Sequence, residues 1–167
     1  MMLGLSLSAF TTLHVIISLV AIALGFVLVA DFLGGRQSAR IAGLFLLTTT
    51  LTSVTGFMFP ASAVTPAHIV GAISLVALAA AVVALYAFGL KGVWRPIYIT
   101  TAVLSLYLNV FVGVVQAFQK IGPLTALAPT QSEPPFAIAQ TIVLVLAIIV
   151  GWLAVRRFRS GGAVAAA

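Results

Sequence analysis

Residues 99–118 read ITTAVLSLYLNVFVGVVQAF, and this stretch decides the fold class. It carries no charged residue and is long enough to cross a hydrocarbon layer about 30 Å thick as a helix. Polar residues recur through and just beyond it at Thr101, Ser105, Asn109, Gln116 and Gln119. Those spacings place them on one face of a helix. A carboxamide in the middle of a membrane-length helix is costly unless something pairs with it. The remainder of the chain is therefore read by asking what faces Asn109 and Gln116.

The stretch continues into KIGPLTALAPTQSEPPF, residues 120–136, which contains Glu133, one of only two acids in the chain. Its prolines predict a fixed shape rather than a tether. Residues 119–135 are expected to form an ordered loop lying in the outer interface as a lid.

Of the 167 residues, 63% are hydrophobic and 6% charged. A soluble domain carries about a quarter charged residues, so this composition points to an integral membrane protein. The formal charge of +6 rests on eight basic residues in short clusters between apolar segments. That is a topology signal and not a phosphate-binding patch, which excludes nucleic acid as a partner. The absence of cysteine removes disulfides, thiolate metal sites, iron–sulfur clusters and c-type haem.

Five segments are long enough to span, at about residues 9–30, 41–59, 67–89, 97–118 and 136–155. Pro66, Pro96 and Pro135 read as helix-start signals. The first segment lacks a basic n-region and is too long for a signal sequence, so it reads as a retained span. The terminal GGAVAAA (161–167) reads as a frayed end. Arg36, Arg40, Lys91, Arg95, Arg156, Arg157 and Arg159 all fall at one end of this arrangement, and only Lys120 falls at the other. The expected fold is an all-α polytopic bundle of five transmembrane helices forming a single domain. The basic end should be cytoplasmic, giving an outside N-terminus and an inside C-terminus in a bacterial inner membrane. The small residues of span three, among them Gly71, Ala72, Ala77 and Ala79, predict a central position for it. Tyr86, Trp94 and Tyr98 predict an inner aromatic belt.

This topology collects the strongly polar side chains in the outer half. His14 lies within span one, with Ser18 a turn deeper on the same face. Thr48, Thr52 and Thr55 form a stripe on span two, and His68 opens span three. Asn109 and Gln116 line span four, and Gln140 lies in the outer turns of span five. Membrane threonines commonly bond their own carbonyls four residues back. Asn109 and Gln116 can equally act as glue between helices, and His68 can be a first-turn cap. His14 is a functional candidate because it is ionisable within a span.

Two histidines on parallel spans can hold a b-type haem or a small metal site between helices. The early-histidine motifs HVIIS in span one and HIVGAIS in span three resemble small multi-span cytochrome-b-like and uncharacterised bacterial membrane families. The resemblance covers roughly the first half of the chain. It implies haem b, with His14 and His68 as its ligands. The chain departs from the four-histidine, two-haem arrangement, since two histidines allow one haem at most.

No Ser–His–acid set can form, because Asp31 falls at the opposite end from both histidines, which argues against an enzyme. Glu133 is expected to approach His14 or His68 from the lid as an orienting carboxylate. The resulting expectation is a small ligand or cofactor, haem b or quinone-like, in an outer-half pocket. Its walls would be His14, Thr52, Thr55, His68, Asn109, Gln116 and Glu133. The competing expectations are a small transporter or channel and a structural accessory subunit, as a homo-oligomer or within a larger membrane complex.

Overall fold

Side-chain caps and prolines set where each helix starts. In the computed structural model, which describes residues 4–158, Ser6 accepts a hydrogen bond from the Ala9 N–H and opens α1 (Leu7–Leu33). Ser38 accepts from the Ile41 N–H and opens α2 (Ala39–Phe57). Thr65 and His68 form a reciprocal capping box around Pro66 at the start of α3 (Pro66–Val82). A π-helical turn, Val83–Ala87, extends α3. Then come α4 (Trp94–Lys120), the short α5 (Gly122–Leu127) and α6 (Pro134–Arg157), with Pro134 and Pro135 in the first turn of α6. No strand forms among the described residues. Arg159 and the GGAVAAA tail lie outside the described residues.

Five of these helices are long and apolar enough to cross a membrane. With the π-helical turn counted into α3, the shortest of the five spans is α2, with 19 residues, about 29 Å of helix. Short connections make successive long helices antiparallel. The connection after α4 contains α5 and so is partly helical rather than an irregular loop.

α4 is the hub. It packs against α1, α2, α3 and α6, and α1 joins α2 on one flank and α6 on the other. α3 packs on α2 and α4 and sits at the rim. This corrects the expectation that span three is central. Its small residues divide between two faces: Ala77 and Ala81 are buried, whereas Ala72 and Ala79 point outward.

The large buried side chains gather at the end that carries the arginines. Leu28, Phe32, Phe45, Leu78, Tyr98, Leu106 and Phe158 belong to one apolar core there. At Gly25, α1 lies close against α4 and α2: a Cβ on it would lie 2.5 Å from Leu106 Cδ1 and 2.9 Å from Phe45 Cε2, so any larger residue would force those side chains to move. Tyr98 is 0% exposed and packs edge-on against Phe32. It is therefore a core residue and not part of an aromatic belt. Tyr86 is exposed, and Trp94 stacks on Phe88 with ring centroids 3.8 Å apart. In the α3–α4 turn, Leu90 takes a left-handed φ of 59° with its side chain buried in the core. Apolar burial offsets the cost of that conformation.

Candidate functional site

The polar residues toward the end of the bundle away from the arginines are organised by α2. Going up this helix, three hydroxyls reach three different neighbours. Thr49 Oγ1, on a residue 0% exposed, accepts from Asn109 Nδ2 of α4 at 3.4 Å. Ser53 Oγ donates to Ser74 Oγ of α3 at 3.1 Å, with both residues buried. Thr55 Oγ1 lies 2.7 Å from His14 Nδ1 of α1. At about 100° per residue, Thr49 and Ser53 lie about 40° apart on one face of the helix, and Thr55 lies on the other side. α2 is thereby fastened by a polar clasp to α1, α3 and α4.

The proton arrangement at Thr55 follows from its partners. Its Oγ1 lies 2.6 Å from the Leu51 carbonyl oxygen, the i−4 acceptor. A hydroxyl has one proton. When it is donated to Leu51, Thr55 can only accept from His14, which assigns the imidazole proton to Nδ1 and leaves Nε2 as an acceptor. The His14 ring also meets Phe59 edge-on at 5.1 Å between centroids.

His68 occupies another flank. Its Nδ1 accepts from the Thr65 N–H at 3.0 Å in the capping box, and its ring stacks on Phe57 at 5.4 Å. His14 meets α2 at Thr55 and Gly56 and meets Phe59 just beyond its end, whereas α3 meets α2 through Ser53 and Phe57. A haem held by two histidines needs both rings on one iron. Here each imidazole is engaged by its own partners, His14 by Thr55 and Phe59 and His68 by Thr65 and Phe57. Among the described residues, no three of the metal-ligating types His, Cys, Asp and Glu come together.

The remaining predicted residues separate further. Glu133 accepts from the Thr130 N–H at 3.2 Å, the Ser132 N–H at 3.1 Å and the Thr130 hydroxyl at 2.9 Å. Its carboxylate is thus taken up by its own loop and orients neither histidine, contrary to expectation. Desolvation pushes this carboxyl upward, but the hydrogen bonds from its own and the Thr130 and Ser132 backbones and the Thr130 side chain outweigh it. They hold the group below its ordinary value of 4.5. The expected lid is fixed to α4: α5 packs there, and Gln131 Nε2 donates to the Val115 carbonyl at 2.9 Å. Phe118 and Phe136 meet edge-on beneath it.

Of the threonine stripe, Thr48 and Thr55 donate to the carbonyls of Leu44 and Leu51 four residues back. Thr52 Oγ1 is buried without a partner. Thr101 and Ser105 of α4 likewise bond back, to Ile97 and Thr101. Gln116 is exposed, and no side-chain hydrogen bond is formed by it among the described residues. Gln140 of α6 donates through Nε2 to the Phe111 carbonyl at 3.2 Å, with its Oε1 buried and unpartnered.

Thr49, Ser53 and Ser74 were not singled out from sequence. Ser74 had a signal, as an isolated hydroxyl in an apolar helix, whereas Ser53 is one of several hydroxyls in the run TTTLTSVT. Thr49 had none, since nothing in the run TTT tells which member faces α4. Comparison with protein-family models, curated proteins and solved structures finds no match.

Proposed function

We propose that this chain is a non-catalytic structural membrane protein that works by associating with other helices in the bilayer, including those of its own copies. The single observation that carries this reading is the triple clasp on α2: Thr49, Ser53 and Thr55 engage Asn109, Ser74 and His14. The polar groups best suited to a ligand are spent between helices. Ala72 and Ala79 of α3 face outward at the rim, where small residues allow another helix to approach closely. The apolar core of Phe32, Phe45, Leu78, Tyr98 and Leu106 at the basic end disfavours a continuous polar path for transport.

The chain has no cysteine, so introduced pairs report association directly. Ala79→Cys in native membranes is expected to give intermolecular disulfides, while Ile148→Cys on the exposed side of α6 does not. Equal crosslinking at both positions, or at neither, removes the proposed α3 contact between copies.

The proposed orientation places the basic end in the cytoplasm of a bacterial inner membrane, supported by the charge asymmetry. A membrane-impermeant maleimide applied to intact cells should label Ala63→Cys and spare Val93→Cys. Labelling with the reverse preference inverts the topology.

A second reading, a small quinone-like amphiphile in the outer half, draws support from Thr52 Oγ1 and Gln116, which have no partner in the clasps. A short-chain quinone should then raise the melting temperature of the detergent-solubilised protein, and Gln116→Leu should remove the rise. No shift in the unmodified protein eliminates this reading.

A further inference from the structure

The basic end of the bundle holds an open recess of about 470 Å3 between the α1–α2 turn and the end of α6, lined by Leu33, Gly34, Gly35, Arg156 and Arg157. We propose that this recess binds the phosphate-bearing headgroup of an anionic phospholipid. The inference rests on the chain being embedded in a bilayer and not on its associating with other helices.

The two glycines shape the recess. Gly35 has a left-handed φ of 68°, and a Cβ there would lie 3.3 Å from the Arg157 carbonyl oxygen. A Cβ on Gly34 would lie 3.6 Å from the Arg36 guanidinium carbon. The N–H groups of Gly34, Gly35 and Arg36 already bond to the carbonyls of Ala30, Phe32 and Asp31. An anion would therefore be held by guanidinium groups rather than by the backbone. Arg36, beside the recess and 77% exposed, is paired with Asp31 at 3.8 Å. Arg156 and Arg157 form no ion pair among the described residues. The chain's other acid, Glu133, is at the far end of α6. The positive charge around the recess is thus largely uncompensated.

Arginines in a helix's last turn also complement its dipole, so their sign alone would need no ligand. Trp152 adds an independent observation. The Arg156 guanidinium sits 3.9 Å over the Trp152 ring, one turn closer to the middle of the span. Trp152 is 53% exposed on the lipid-facing surface. A tryptophan carrying a cation in this way marks the membrane–water interface. The recess therefore lies at headgroup depth, and Leu33 offers an apolar wall to the glycerol end of a lipid. Basic pockets between transmembrane helices at this depth suit anionic headgroups. Free phosphate would gain the charge contacts but not the apolar ones.

The test is native mass spectrometry of the full chain in mild detergent, titrated with phosphatidylglycerol, phosphatidylcholine of the same acyl chains, or inorganic phosphate. Phosphatidylglycerol should be retained in preference to the other two. Each basic residue near a membrane surface contributes about 1 kcal/mol, so the double variant Arg156→Gln/Arg157→Gln should bind it about thirtyfold more weakly. Lys91→Gln/Arg95→Gln removes the same charge from the other turn at this end and should leave binding unchanged. Gly34→Leu fills the recess without altering charge and should weaken binding as well, which keeps the proposal testable if the arginine variant does not fold. Equal retention of the two lipids, equal loss in both charge variants, undiminished binding by Gly34→Leu, or equally strong phosphate binding overturns it.

Discussion

His14 Nδ1 stands 2.7 Å from Thr55 Oγ1, so the one imidazole within a span is joined to a hydroxyl on the neighbouring helix. A histidine that would otherwise face hydrocarbon is thereby given a partner from the same chain. Thr55→Val removes the oxygen and keeps the shape. Hydrogen bonds between membrane helices average about 0.6 kcal/mol, with a maximum near 1.7. The variant should lose stability in that range. In a double-mutant cycle with His14→Leu, the coupling should be about the same size. Unfolding in mixed micelles measures it, and additive effects would mean that the pair contributes nothing.

Asn109 and Thr49 should behave non-additively in a different way. Thr49 Oγ1 lies on a fully buried residue and takes its hydrogen bond from Asn109 Nδ2. Asn109→Leu leaves that hydroxyl unsatisfied, which costs about 1–3 kcal/mol. Adding Thr49→Val removes the orphaned group. The double variant should therefore be more stable than Asn109→Leu alone, as read by melting temperature in detergent.

Gly25→Ala should destabilise the bundle through overpacking. The added methyl would lie 2.5 Å from Leu106 Cδ1 and 2.9 Å from Phe45 Cε2. Forcing atoms into a packed core costs about 1–3 kcal/mol. Leu106→Ala in the same chain should recover part of the loss by opening space. Gly113→Ala is the control, because its added methyl would lie 3.7 Å from Ile22 Cδ1, an ordinary contact.

The loop before α6 should loosen in acid. The folded-state value of Glu133 is depressed below 4.5, so its contribution is present above that pH and is lost as pH falls through the folded value. The amides of Thr130 and Ser132, both of which donate to this carboxylate, should lose protection relative to their intrinsic exchange rates as pH falls through that folded value. Glu133→Gln should show lower protection at these amides at neutral pH and little further loss of protection in acid. Unchanged exchange in the variant would show that the carboxylate does not hold the loop.

The helices were legible because the bilayer imposes a strong local constraint. A chain that must satisfy every backbone group internally forms long apolar helices, and their length and composition can be read from residues such as those in 99–118. The caps were partly legible too: Pro66 marked the start of α3, and a capping role for His68 was visible beside it. Glu133 was harder, because Thr130 and Ser132 lie so close in sequence that a local turn and a reach toward a histidine look alike.

The sequence by itself determined five membrane-length helices, their antiparallel order and the collection of basic residues at one end. Those features depend on composition and segment length, which neighbouring residues fix. Only the tertiary structure decided that α4 and not α3 is the hub, that Tyr98 is core, and that His14 pairs with Thr55 while His68 stacks on Phe57. In lipid every outward face is apolar whether it meets a neighbour or the bilayer, so hydropathy does not rank the faces of a helix. The stretch 99–118 announced a polar face on α4. The position of α2 determined that Asn109 found Thr49, while Gln116 remained exposed.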